Sequence, residues 1–94
     1  FSGITIGAET LIGAGCLLCD SDMHEAPLGS SRKVATAPIL IGRRVFIGAG
    51  STVLKGVTIG DGAVVGAGSI VVSSIPSGAL AAGNPARVIR FLNG

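Results

Sequence analysis

The sequence predicts an all-β chain wound as a single-stranded parallel β-helix, a β-solenoid of six-residue repeats with one extruded loop. Three observations carry that prediction. Branched aliphatic residues recur at every sixth position, from Ile6 through Ile12 to Leu18, and again from Ile41 through Ile47, Val53, Ile59 and Val65 to Val71. Glycine directly follows six of these nine residues. Tyr and Trp are absent and Phe occurs three times, so the 48% hydrophobic content is nearly all aliphatic and small. Such filling suits thin, repeated layers better than one globular centre.

The first coil is expected over 1–18. Within each repeat a small or apolar residue stands two positions before the aliphatic one (Ile4, Thr10, Cys16), so the pair points to one face of a short strand. A tight turn follows, where glycine tolerates backbone conformations that side chains resist. Three such sides close a coil of about eighteen residues, and a fixed internal period of this kind is the mark of a stacked array. A helix of 3.6 residues per turn cannot hold residues six apart on one face.

The pattern then breaks, over 19–38, at "LLCDSDMHEAPLGS" and the residues after it. Leu18 and Ile41 are one residue short of four repeats apart, and Pro27, Gly29, Ser30, Ser31 and Pro38 lie between them. A loop of this length in a compact fold is usually functional or disordered. It holds the chain's single histidine, His24, and three of its five acidic residues, Asp20, Asp22 and Glu25. Histidine titrates near neutral pH, and a stacked aliphatic column offers no place for it.

Further coils are expected over 39–76, where Ile39, Val45, Ser51, Val57, Ala63 and Ser69 take the second inward position. A C-terminal tail follows over 77–94, with a turn at Asn84-Pro85 that leaves the solenoid.

Composition narrows the function. The net charge is +2, no basic run exceeds two residues, and Tyr and Trp are missing as stacking platforms, which argues against nucleic acid. The run "AVVGAGSIVV" is too short and glycine-rich to span a bilayer, and no signal peptide follows Phe1. The expectation is a soluble, cytoplasmic chain, with an N-terminal part missing before Phe1. Cys16 and Cys19 spell C-x-x-C, but a metal knuckle would need further ligands and only His24 is available. They read as two small buried apolar residues, with no metal bound.

"ILIGRRVFIGAGSTVLKGVTIGDGAVVGAGSIVV" followed by "IPSGALAAGNPARVIR" resembles the hexapeptide-repeat acyltransferases, nearest to the galactoside, maltose and capsular-sugar O-acetyltransferases. The resemblance covers nearly the whole chain. It implies a left-handed β-helix, homotrimers, and acetyl-CoA as co-substrate in the grooves between neighbouring subunits. It also implies that the extruded loop carries the catalytic histidine, His24, with an acidic residue shortly before it, Asp22 rather than Asp20, orienting the ring.

The cofactor-binding residues follow from the same resemblance. Phe46 in "VFIGAG" stands where the family has tryptophan, and Ala49 and Ala67 fall where the backbone meets the pantetheine arm. Arg87 and Arg90 match arginines that meet CoA phosphates, whose oxyanions suit guanidinium forks. Arg32 and Lys33 could also reach phosphate. Val72 and Ser73 replace the family's Thr-Lys, so one cofactor contact is lost. The acceptor's asparagine partner in the family precedes the first coil and has no counterpart here.

The function these features imply is acetyl transfer from acetyl-CoA to a hydroxyl of a sugar or similar small acceptor, with His24 as general base. The alternative is a non-catalytic trimeric β-solenoid module or a vestigial acetyltransferase fragment. A solenoid-type carbonic anhydrase would need three histidine ligands for zinc, which one loop histidine does not supply.

Overall fold

The computed structural model describes residues 3–21 and 36–92. His24, Asp22, Glu25, Arg32 and Lys33 lie outside the described residues. All described regular structure is β, in eleven short strands. They are β1 (Ile4–Ile6), β2 (Leu11–Ile12), β3 (Leu17–Leu18), β4 (Ile39–Ile41), β5 (Phe46–Ile47), β6 (Thr52–Val53), β7 (Thr58–Ile59), β8 (Val64–Val65), β9 (Ile70–Val71), β10 (Ala79–Gly83) and β11 (Ala86–Phe91).

The chain visits three sheets in rotation. β1, β4 and β7 form the first, β2, β5, β8, β10 and β11 the second, and β3, β6 and β9 the third. All neighbours are parallel except β10 and β11, which form an antiparallel hairpin at the end of the second sheet. Ile47 pairs with Val65 and Val53 with Val71, so one circuit takes eighteen residues. Ile6 pairs with Ile41, thirty-five residues on, so the break adds seventeen residues to one circuit without disturbing the stacking on either side. Its two ends meet: Ser21 and Thr36 form an antiparallel bridge, and the Ala37 N–H donates to the Asp20 carbonyl at 2.9 Å.

The period-two alternation decides what is buried. Ile39, Ile41, Val45, Ile47, Val53, Val57, Ile59, Ala63, Val65 and Val71 form the core, all at 3% exposure or less. At roughly 25 cal/mol per Å² of apolar surface, each large member of these columns contributes about 1.5–3 kcal/mol. Two inward positions are polar, Ser51 and Ser69, and both are satisfied. The Ser69 hydroxyl donates to the Gly66 carbonyl at 2.7 Å and accepts from the Gly83 N–H at 3.1 Å. The Ser51 hydroxyl donates to the same carbonyl at 3.1 Å and accepts from the Ser69 N–H at 3.3 Å.

The first coil differs from those above it. Ile4 and Ile6 are 42% and 45% exposed, whereas their partners Ile39 and Ile41 are at 0% and 3%. β1, β2 and β3 each have a neighbour on one side only. The residues obey the repeat, and among the described residues no strand pairs with their other side. The cysteines follow suit: both are free and half-buried rather than buried. Cys16 occupies the position of Ser51 and Ser69, and its thiol donates to the Gly48 carbonyl at 3.2 Å.

Turn chemistry separates the corners. The aliphatic residue is followed by glycine wherever the chain leaves the first or second sheet, and a Cβ on Gly7, Gly13, Gly42, Gly48 or Gly60 would collide with the coil above. Leaving the third sheet, the same place holds Cys19, Leu54 and Val72. That corner is where the break is inserted.

Candidate functional site

Register brings the sequence-predicted cofactor residues onto one side of the molecule. Phe46 lies on the outward face of the second sheet, 45% exposed, between Leu11 below and Val64 above. Val64 pairs with Leu80, and Leu80 with Arg90, so one outward row runs Leu11, Phe46, Val64, Leu80, Arg90. Arg87 is opposite Ala82 in the same hairpin. Both arginines are exposed. With strands about 4.8 Å apart, Phe46 and Arg90 are separated by three spacings, about 14 Å.

Ala49 and Ala67 are neighbours at the corner between the second and third sheets. The sequence Gly-Ala-Gly occurs there in three successive coils, at 13–15, 48–50 and 66–68. The last glycine of each takes a positive φ (75°, 73° and 70°), a conformation that side chains resist. A Cβ on Gly48 would lie 2.5 Å from the Ala67 nitrogen, so the coils touch backbone to backbone. The Gly68 N–H donates to the Ala49 carbonyl, and the Gly50 N–H to the Ala14 carbonyl. The result is an exposed strip of methyl groups along the corner, beside the Phe46 row, with the hydroxyls of Ser51 and Ser69 locking it from inside.

The structure therefore brings Phe46, Ala49, Ala67, Arg87 and Arg90 to one sheet and its adjoining corner. The proposed catalytic residues, His24 and Asp22, are outside the described residues, and only the neck that holds their segment, Asp20 to Ala37, is described. No group of three His, Cys, Asp or Glu side chains that could hold a metal ion occurs among the described residues. Among the described residues no helix is long and apolar enough to cross a membrane.

One feature escaped sequence reasoning. At the corner between the first and second sheets, Arg43, Arg44, Asp61 and Gly62 line a surface cleft of about 250 Å³. The Arg43 N–H donates to Asp61 Oδ1 at 2.8 Å. Arg43 and Asp61 are eighteen residues apart, one full circuit, and reading that interval as adjacency would have found the pair.

Comparison with known proteins agrees with this architecture. The hexapeptide repeat of succinyl-transferase matches residues 38–73. The lipopolysaccharide biosynthesis O-acetyl transferase WbbJ of Escherichia coli K12, itself named as putative, is 39% identical over 96% of this chain and 51% of its own length. A 2,3,4,5-tetrahydropyridine-2,6-dicarboxylate N-acetyltransferase of Staphylococcus aureus MRSA252 is 38% identical over 92% of this chain and 32% of its own. Among solved structures, a galactoside acetyltransferase in complex with coenzyme A is 42% identical with a TM-score of 0.85, covering 96% of this chain and 46% of that one. The chain thus spans about half the length, or less, of these three relatives.

Proposed function

The chain belongs to the hexapeptide-repeat family, and from that premise we propose that it is a CoA-dependent acyltransferase moving an acetyl group from acetyl-CoA to a hydroxyl of a sugar or similar small acceptor. The observation that carries the reading is the register that aligns Phe46, the Ala49–Ala67 strip, Arg87 and Arg90 along one side of the molecule. CoA combines a slender pantetheine arm with phosphate groups. A corner bare of large side chains lets the arm lie against main chain, and exposed arginines at the far end suit the phosphates. The galactoside acetyltransferase that shares this fold binds coenzyme A. With that relationship the coil is read as a left-handed β-helix over 1–94, interrupted by the loop 19–38.

In the proposed reaction the acceptor oxygen attacks the thioester carbonyl carbon, the carbon–sulfur bond breaks, and CoA leaves as the thiol. His24 takes the hydroxyl proton as attack proceeds and returns one to the departing sulfur. Prior ionisation is out of reach, because a hydroxyl as weakly acidic as water lies about nine pH units above an imidazole, a gap that costs roughly 12 kcal/mol. General base catalysis avoids that intermediate. Asp22 would hold the ring in the required tautomer. A homotrimer would set the His24 segment of one chain beside the CoA strip of another. The two free cysteines and a CoA thioester donor both suit a cytoplasmic setting.

The deciding experiment is acetyl-CoA turnover, followed as free thiol release, against a panel of sugars, amino acids and amines. Acceptor-dependent thiol release is expected. A folded trimer that neither binds CoA nor releases thiol would return the chain to the other reading, a structural module.

A further inference from the structure

The corner between the first and second sheets carries a second cluster of polar side chains, away from the Ala49–Ala67 strip. In successive coils its turn places Glu9, Arg44, Gly62 and Gly78 at a position of positive φ (63°, 54°, 71° and 71°). The turn demands that conformation, and glycine meets it freely in the upper coils. A side chain there costs about 1–2 kcal/mol of backbone strain. Arg44 recovers little of this from Glu9: Nε and Oε1 are 3.8 Å apart and both side chains are about 70% exposed. Arg43, next to it, makes no ion pair among the described residues. Two consecutive arginines thus line a cleft of about 250 Å³, and the fold makes little use of their charge.

The cleft also has an acceptor side. Asp61 presents one carboxylate oxygen to the Arg43 N–H, and a Cβ on Gly42 would collide with that carboxylate, so glycine there is needed to seat it. Among the described residues nothing bonds its second oxygen, which can accept from a hydroxyl donor. Glu9 does not line the cleft. Two arginines with one half-occupied carboxylate match a ligand carrying an oxyanion next to hydroxyl groups: guanidinium forks donate to the oxyanion and the carboxylate accepts from the hydroxyls.

We propose that this cleft binds a phosphate-type oxyanion borne by a phosphorylated sugar; that this sugar is the acetyl acceptor rests on the transferase reading above. Titration with inorganic phosphate and glucose 1-phosphate tests the site directly. The variant R43Q/R44G keeps the turn, since glycine suits its φ, and should weaken both ligands by about tenfold or more. Asp61→Asn keeps an oxygen for the Arg43 N–H and removes a like charge, so it should tighten inorganic phosphate by about two- to threefold. Changes of opposite sign in the two variants would locate the anion in this cleft. Equal phosphate affinity in wild type and R43Q/R44G, no binding at about 10 mM, or complete loss on R87Q/R90Q would overturn the site. Thiol release from acetyl-CoA tests the acceptor: preference for glucose 1-phosphate over glucose is expected, and its absence would overturn the acceptor role. No release with any acceptor would remove the transferase reading and leave the phosphate titration to stand.

Discussion

Two glycines at one corner show how differently the same residue is required. Gly48 is held by close approach: a Cβ would sit 2.5 Å from the Ala67 nitrogen, which is backbone and cannot step aside. Gly50 is held by conformation alone, with φ at 73° and nothing within 4 Å of an added Cβ. Gly48→Ala is therefore expected to lose about 3 kcal/mol or more, through overpacking that separates two coils. Gly50→Ala should lose only about 1–2 kcal/mol of left-handed strain. Denaturant unfolding of both variants checks the order, and equal losses would show that the coils do not touch as described. Ser69 gives a third test. Its hydroxyl serves the Gly66 carbonyl and the Gly83 N–H from a position 1% exposed. Ser69→Ala should cost about 0.5–1.5 kcal/mol, because the Gly83 N–H loses this partner while the Gly66 carbonyl keeps the Ser51 hydroxyl.

Among the elements, β5 to β9 were legible in the sequence, because inward pairs such as Val45 and Ile47 repeat at a spacing only this coil uses. The phase is lost after Val71 for a physical reason. Val65 pairs with Ala81, sixteen residues on, whereas Ile47 pairs with Val65 after eighteen, so the last circuit is two residues shorter. Its inward residues are then Ile75, two places ahead of the six-residue phase, and Ala79 and Ala81, whose small side chains carry little hydrophobic signal. The Arg43–Asp61 contact was hidden for the opposite reason: the pair is polar, and a search for aliphatic periodicity passes over it. β11 carries its own prediction. Arg87 and Arg90 project from an end strand with no packing role beyond it, both exposed. Replacing both with Gln should leave the melting temperature nearly unchanged and weaken CoA much more than dephospho-CoA, which lacks the 3′-phosphate. Equal losses for the two ligands would move the phosphate site elsewhere.

For the whole molecule, the narrow core and the apolar side chains on its outer faces make association the natural source of further burial. Leu11, Leu17, Leu40, Phe46, Ile89 and Phe91 are each more than 40% exposed. If the site is shared between the chains of a homotrimer, as proposed, activity should fall on dilution together with trimer mass, measured by light scattering while thiol release is assayed. A monomer that still turns over acetyl-CoA would defeat the shared site. His24→Ala should lower turnover by about 10²–10⁴ in a trimer that remains intact. The rotation through three sheets has one further consequence, a rule for lengthening the chain. Inserting six residues at a corner would turn everything above it by one side and carry Arg90 off the face that holds Phe46. Inserting eighteen between β5 and β8 would return Arg90 to that face, one strand spacing of about 4.8 Å farther away. The molecule is a ruler graduated in whole coils, and the reach from Phe46 to Arg90 can change only by whole graduations. A ligand that must touch both ends is selected by its length before any side chain contacts it.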